Sequence, residues 1–151
     1  MAQSLCKIYL HIIFHTKNTS PVLAHEHVPR MHQYIGNIVK MTRCHVICVG
    51  GIENHIHALI LLIRTENVAH LVEEMKRNSS RWIKTISDSY ANFAWQRGYA
   101  AFSVSQSQVE TVISYIKNQE EHHKKQTFQN EYINFLKLCD IKYDERYVLS
   151  D

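Results

Sequence analysis

The sequence predicts an α+β domain built on a four-stranded antiparallel sheet, in the order β-α-β-β-α-β, with additional helices after the last strand. Three observations predict it. Apolar residues alternate with period two and then recur with period 3.6 in that order along the 151 residues. The run Ala58–Ile63 is apolar at both parities, as a strand inside a sheet has to be. The composition, 45% hydrophobic and 21% charged with 4 Gly and 2 Pro, is that of a folded chain and excludes disordered, collagen-like and linker proteins. No repeat, charge block or Pro/Ser-rich linker divides residues 1–151, so a single domain is expected.

Ile8–His15 reads as the first strand, with Ile8, Leu10, Ile12 and Phe14 on one face. A loop with Lys17, Asn18 and Pro21 leads to a helix over His27–Met41. Its stripe is Val28, Met31, Ile35, Ile38 and Val39, and Pro29 falls in the first turn, where proline is tolerated. His45–Val49 is a short strand, Gly50-Gly51 a turn, and His55–Ile63 the strand that completes the hairpin. A second helix is expected over Val68–Ile86, with Leu71, Met75, Trp82 and Ile86 facing inward, and a fourth strand over Gly98–Val104. One long helix, Gln106–Lys124, and a last one, Gln129–Cys139, follow. The arrangement is ferredoxin-like, as in RNA-recognition domains, with two helices on one face of the sheet and the third strand inside it.

Several function classes drop out early. Ala58–Ile63 is the longest unbroken apolar run and falls far short of the roughly 18 residues that span a bilayer. Ile8–Phe14 follows Lys7 as a signal core would, but His11 interrupts it and no small-residue cleavage site follows. Cys6, Cys44, Cys48 and Cys139 are scattered, which predicts free thiols in a reducing cytoplasm. Cys44 and Cys48 would share a strand face, yet no second pair stands near to complete a zinc site. The formal charge of +3 permits a polyanionic partner without requiring one.

Eleven histidines raise the question of which are ligands. In Glu53-Asn54-His55-Ile56-His57 a strand places His55 and His57 on one face and Ile56 on the other, so two imidazoles can share one metal ion. The triplet alone is cheap, and one hydrogen-bonded strand histidine with the other capping the sheet edge explains a bare His-x-His better than a metal does. His25-Glu26-His27 repeats it at a loop-to-helix junction where nothing calls for a metal. On the long late helix Val109, Val112, Ile113 and Ile116 form the buried stripe. Tyr115, Gln119 and His122 recur at i, i+4 and i+7, roughly 110° round the axis, on a flank free to face a site.

With these two signals in this order, the chain resembles the single-tyrosine HUH transposases of small bacterial insertion sequences and their relatives associated with repetitive extragenic palindromes. The resemblance covers nearly the whole chain. It runs through Phe14-His15-Thr16-Lys17, Glu53-Asn54-His55-Ile56-His57, Trp95-Gln96-Arg97-Gly98-Tyr99 and Tyr115-Ile116-Lys117-Asn118-Gln119, with no departure at the catalytic positions.

The resemblance implies a metal-dependent endonuclease and strand transferase acting on single-stranded DNA with hairpin ends. His55, His57 and Gln119 would hold a divalent cation, Mg²⁺ or Mn²⁺, of which Mn²⁺ suits imidazole better. Three neutral ligands leave the ion its full charge for a phosphate oxygen. Tyr115 would be the nucleophile, giving a covalent 5′-phosphotyrosine that stores the bond energy for rejoining. A homodimer, with active sites shared between subunits, would handle two DNA ends.

For the DNA backbone, the segment Lys76-Arg77-Asn78-Ser79-Ser80-Arg81-Trp82-Ile83-Lys84 offers four cations and no acid. Lys76, Arg77, Ser80 and Arg81, with Lys17, are the candidate contacts, and His122-His123-Lys124-Lys125 is a weaker one. A non-catalytic nucleic-acid-binding module on the same sheet is the alternative; it would use exposed aromatics such as Tyr9 and Tyr99 but leaves the helical Tyr-Gln pair unexplained. A hydrolase in which water attacks is a third reading.

Overall fold

Ile8–His15 forms β1, and from Leu10 onward both of its faces are buried because it becomes an interior strand. The computed structural model describes residues 2–150. Helix α1 (Val28–Met41) starts with Pro29 in its first turn and buries Val28, Met31, Ile35, Ile38 and Val39, the predicted stripe. Strands β2 (His45–Ile52) and β3 (His55–Leu62) follow as a hairpin. The Asn67 side chain then caps α2 (Val68–Ile83) by accepting from the His70 amide at 2.8 Å. Strand β4 (Ala100–Val104) precedes α3 (Val109–Lys117), α4 (Gln119–His123) and α5 (Phe128–Leu138), the last capped by Thr127.

The sheet order is β2-β3-β1-β4, antiparallel throughout, so β3 lies inside as its two-sided apolarity requires. On one face Leu10, Ile12, Phe14, Ile56, Ala58 and Ile60 pack against Met31, Ile35 and Val39 of α1 and Leu71, Met75 and Ile83 of α2. The opposite face has two covers. Leu59 meets Val109 and Ile116 of α3, while Ile13, Ala100 and Phe102 meet Phe128, Tyr132 and Leu136 of α5. Among the described residues no helix is long and apolar enough to cross a membrane.

Four expectations change. Gly50-Gly51 is not the hairpin turn: β2 runs on to Ile52 and the chain reverses at Glu53-Asn54. The glycines serve close approach instead. Gly51 has φ +124°, and a Cβ there would lie 2.2 Å from the His55 carbonyl oxygen. A Cβ on Gly50 would lie 2.5 Å from the Ile116 carbonyl oxygen, so the last turn of α3 rests directly on this strand. Second, α2 stops at Ile83 rather than Ile86, where the Thr85 hydroxyl donates to the Trp82 carbonyl.

Third, the single helix expected over 106–124 is broken. Residues 106–108 form a 3-10 turn, and at Asn118 (φ −99°, ψ 21°) the backbone leaves the helical well between α3 and α4. Asparagine favours helix ends over helix interiors. Fourth, a bulge between Val46 and Cys48 shifts the register, so Cys44 joins the core under α1 and α2 while Cys48 packs on the α3 side. The two thiols do not share a face.

Candidate active site

Strand alternation puts His55 and His57 of β3 on the face covered by α3 and α5, opposite His15 and Ile13 of β1. Neither imidazole has any exposed surface. From α3, Tyr115 brings its half-buried ring to 5.8 Å from that of His57, centroid to centroid. One turn on, past the break at Asn118, Gln119 is 1% exposed with Oε1 2.9 Å from His55 Nε2. Glu131, equally buried on α5, sets Oε1 2.9 Å from His57 Nε2 and 3.7 Å from His55 Nε2. The Tyr115 hydroxyl donates to the other oxygen, Oε2, and lies 3.3 Å from His122 Nε2. The i, i+4, i+7 stripe of Tyr115, Gln119 and His122 thus converges despite the interrupted helix.

The electrostatics follow from burial. Desolvation holds His55 well below the usual imidazole range, with neighbouring His57 adding to it and Gln119 and Glu131 opposing. Burial lowers His57 too, against Glu131. His11, whose Nε2 lies 2.8 Å from His57 Nδ1, is pushed down to about 3 by burial and by His57. Burial and the bond to Glu131 push the Tyr115 phenol up. Burial alone would raise Glu131, but the hydrogen bond and charge of His57, with Tyr115, hold the carboxylate low and ionised.

These residues fit a divalent cation. His55 Nδ1 faces Asn54 Oδ1 at 2.8 Å, so a neutral ring aims its lone pair from Nε2 toward Gln119 Oε1. The Gln119 amide is oriented by its NH₂ group, which donates to Glu131 Oε2 at 3.2 Å and to the Tyr115 carbonyl at 3.5 Å. In that tautomer two acceptors face each other, as ligands around an ion do. Among the described residues His55, His57 and Glu131 form the one His/acid group compact enough to hold a metal.

Sequence reasoning placed His55, His57, Tyr115 and Gln119 together and missed Glu131 and His11. Glu131 carried a signal: it falls on the buried stripe of its helix, between Phe128 and Tyr132, where a carboxylate is out of place without a partner. His11 shares the parity of Ile13 and His15, the site-facing side of β1.

The expected DNA contacts separate. Lys17 lines a cleft of about 350 Å³ beside the site, with His15, Asn54, Phe128 and Gln129. Lys76, Arg77, Ser80 and Arg81 sit on α2, which covers the opposite face of the sheet. The Lys76 ammonium donates to the carbonyls of Gln96, Arg97 and Gly98, and burial lowers it to about 8. Arg77 is paired with Glu73 and Glu74, and Ser80 accepts from Lys84. Of the four cations in the acid-free stretch, Lys76 and Arg77 are taken up by carbonyls and acids, while Arg81 and Lys84 are exposed with no acid paired to them among the ion pairs of the described residues. Trp82 stacks on Tyr34 at 4.5 Å, between α1 and α2.

Gly50 carries a testable consequence. Gly50→Ala would drive its methyl into the Ile116 backbone and displace the turn that bears Tyr115 and Gln119. Overpacking of this kind costs about 1–3 kcal/mol, and misplacement by about 1 Å lowers a rate by on the order of 100-fold. Thermal unfolding should show a lowered Tm, and any activity that uses Tyr115 and Gln119 a loss well beyond what the stability change explains.

The comparisons bear on the family and the fold. Residues 4–119 match the family described as "Transposase IS200 like". No match is found among curated proteins. A solved structure of a candidate transposase from Deinococcus radiodurans superposes with a TM-score of 0.60 at 19% identity, covering 79% of this chain and 98% of the other. The structure of a REP-associated tyrosine transposase bound to a REP hairpin gives 0.57 at 14% identity, covering 100% of this chain and 93% of the other. Both share the fold described above, and the match over 4–119 includes His55, His57, Tyr115 and Gln119. The chain belongs to the IS200-like transposase family.

Proposed function

We propose that the chain cuts and rejoins single-stranded DNA at hairpin-bearing element ends, with Tyr115 as the nucleophile and His55, His57 and Gln119 as ligands of a divalent metal, Mg²⁺ or Mn²⁺. The observation that carries this reading is the phenol of Tyr115 held against Glu131 and His57, beside two buried imidazoles and an amide oxygen. When bound, the cation neutralises charge that builds on the phosphate oxygens during attack. The rest is work for the chain's own groups. The Tyr115 oxygen forms a bond to phosphorus while the bond to the 3′-oxygen breaks, leaving a 5′-phosphotyrosine and a 3′-hydroxyl. Glu131 Oε2 already accepts the phenol hydrogen and is placed to take that proton, which ends on the departing 3′-oxygen.

A REP hairpin bound to a structural relative supports hairpin DNA as the substrate, and Lys17 in the cleft beside His15 is the contact best placed for its backbone. Two element ends call for two sites, hence a homodimer. Within the one chain Tyr115 lies beside its own His57, and the resemblance implies that in a dimer the tyrosine helices can also be exchanged between subunits. Four free cysteines suit a bacterial cytoplasm, with the protein on nucleoid DNA when acting.

The test is incubation with a single-stranded hairpin oligonucleotide and Mn²⁺, followed by a denaturing gel. A covalent protein–DNA band is expected. Cut DNA without that band would make water the nucleophile, and a native-gel shift with intact DNA would make the protein a binding module.

A further inference from the structure

The residues around Gln119 include a nitrogen donor that the HUH resemblance does not supply. We propose that His123 is an additional ligand of the metal site, bringing a third imidazole to it from α4; this rests on reading His55 and His57 as a metal pair. His123 Nδ1 lies 2.9 Å from the backbone carbonyl of Gln126, which can only accept, so that nitrogen carries the ring's proton. The lone pair of the neutral ring is then on Nε2, which lies 3.0 Å from Gln119 Oε1 and 3.3 Å from Glu131 Oε2. The side chain is 5% exposed, and its ring lies 4.6 Å from that of His55.

His55 presents Nε2 to the same Gln119 oxygen, and that oxygen's identity is set by the NH₂ group donating to Glu131. Two imidazole lone pairs, an amide oxygen and a carboxylate thus converge, and nothing among them has a proton to share at the Gln119 oxygen. Buried polar atoms are normally paired, and a cation between them would pair this set. The spacing from Gln119 to His123 is i, i+4, which places both on one side of α4. With a third imidazole beside His55, His57 and Gln119, the site favours a transition ion such as Mn²⁺ or Co²⁺ over Mg²⁺, which prefers oxygen.

The experiment is a Co²⁺ titration of the full chain, followed by visible absorption. The wild-type protein is expected to bind Co²⁺ with a ligand-field spectrum. His123→Ala should weaken binding at least about tenfold and shift the spectrum, on the order of what loss of a metal-site group costs. His123→Gln, which keeps the bulk and offers an amide oxygen, should recover part of the affinity with a spectrum of fewer nitrogen ligands. Exposed His45→Ala is the control and should match wild type. Wild-type affinity and spectrum in both His123 variants would overturn the proposal, and so would a weakened His123→Ala whose spectrum is unchanged. Failure of the wild-type chain to bind Co²⁺ would overturn the His55–His57 metal reading itself, which separates the two.

Discussion

Tyr115→Phe is expected to remove the covalent protein–DNA band completely while the protein stays folded and still binds metal. The substitution deletes one oxygen. The ring keeps its contacts with His57, His122 and Phe135. Glu131 Oε2 loses the phenol donor but keeps the Gln119 NH₂ at 3.2 Å, and Oε1 keeps His57. The cost in stability is then that of one hydrogen bond, about 1 kcal/mol, which a thermal melt resolves. Metal titration should give wild-type affinity. A surviving covalent band would assign the nucleophile elsewhere.

His57→Ala is expected to fail on every measure. Its ring has no exposed surface and sits between His11 on Nδ1 and Glu131 on Nε2, so truncation strands both partners in the interior. Leaving a buried partner unsatisfied costs about 1–3 kcal/mol, and more for the charged Glu131, enough to lower Tm strongly in a chain of this size. Metal affinity should vanish along with cleavage. His57→Gln, which can still donate to Glu131, should recover much of the stability without recovering cleavage; if cleavage returns with stability, the histidine is structural. Mixing His57→Ala with Tyr115→Phe chains separates the two arrangements: no recovery in verified heterodimers is expected where each Tyr115 serves the His57 of its own chain. Restored cleavage in verified heterodimers would show that the tyrosine helices are exchanged.

Much of this arrangement was legible because it is periodic. Period-two alternation fixed which side of β3 carries His55 and His57, and two-sided apolarity placed that strand inside the sheet. Tyr115 and Gln119 were readable as a second stripe because an i, i+4 pair survives a break that comes between its members. What escaped was aperiodic or long-range. The hairpin turn was misplaced because glycine marks both reversal and close approach, and only the packing of Ile116 on Gly50 distinguishes them. Half of the basic patch is taken up because Glu73 and Glu74, just outside the window, fold back on Arg77, while the carbonyls that hold Lys76 come from residues 96–98. Glu131 and His123 lie past the stretch matched by the family, and their approach to the histidine pair depends on how the last helices cross the sheet.

The complete enclosure of His55 and His57 beneath Phe128, Glu131 and Tyr132 bears on kinetics as well as affinity. An ion held there would exchange with solvent, and a DNA phosphate would reach it, only when the covering helix lifts, so both are paced by local opening of the protein. Stripping by a chelator would accordingly reach a plateau rate that no further excess of chelator can raise.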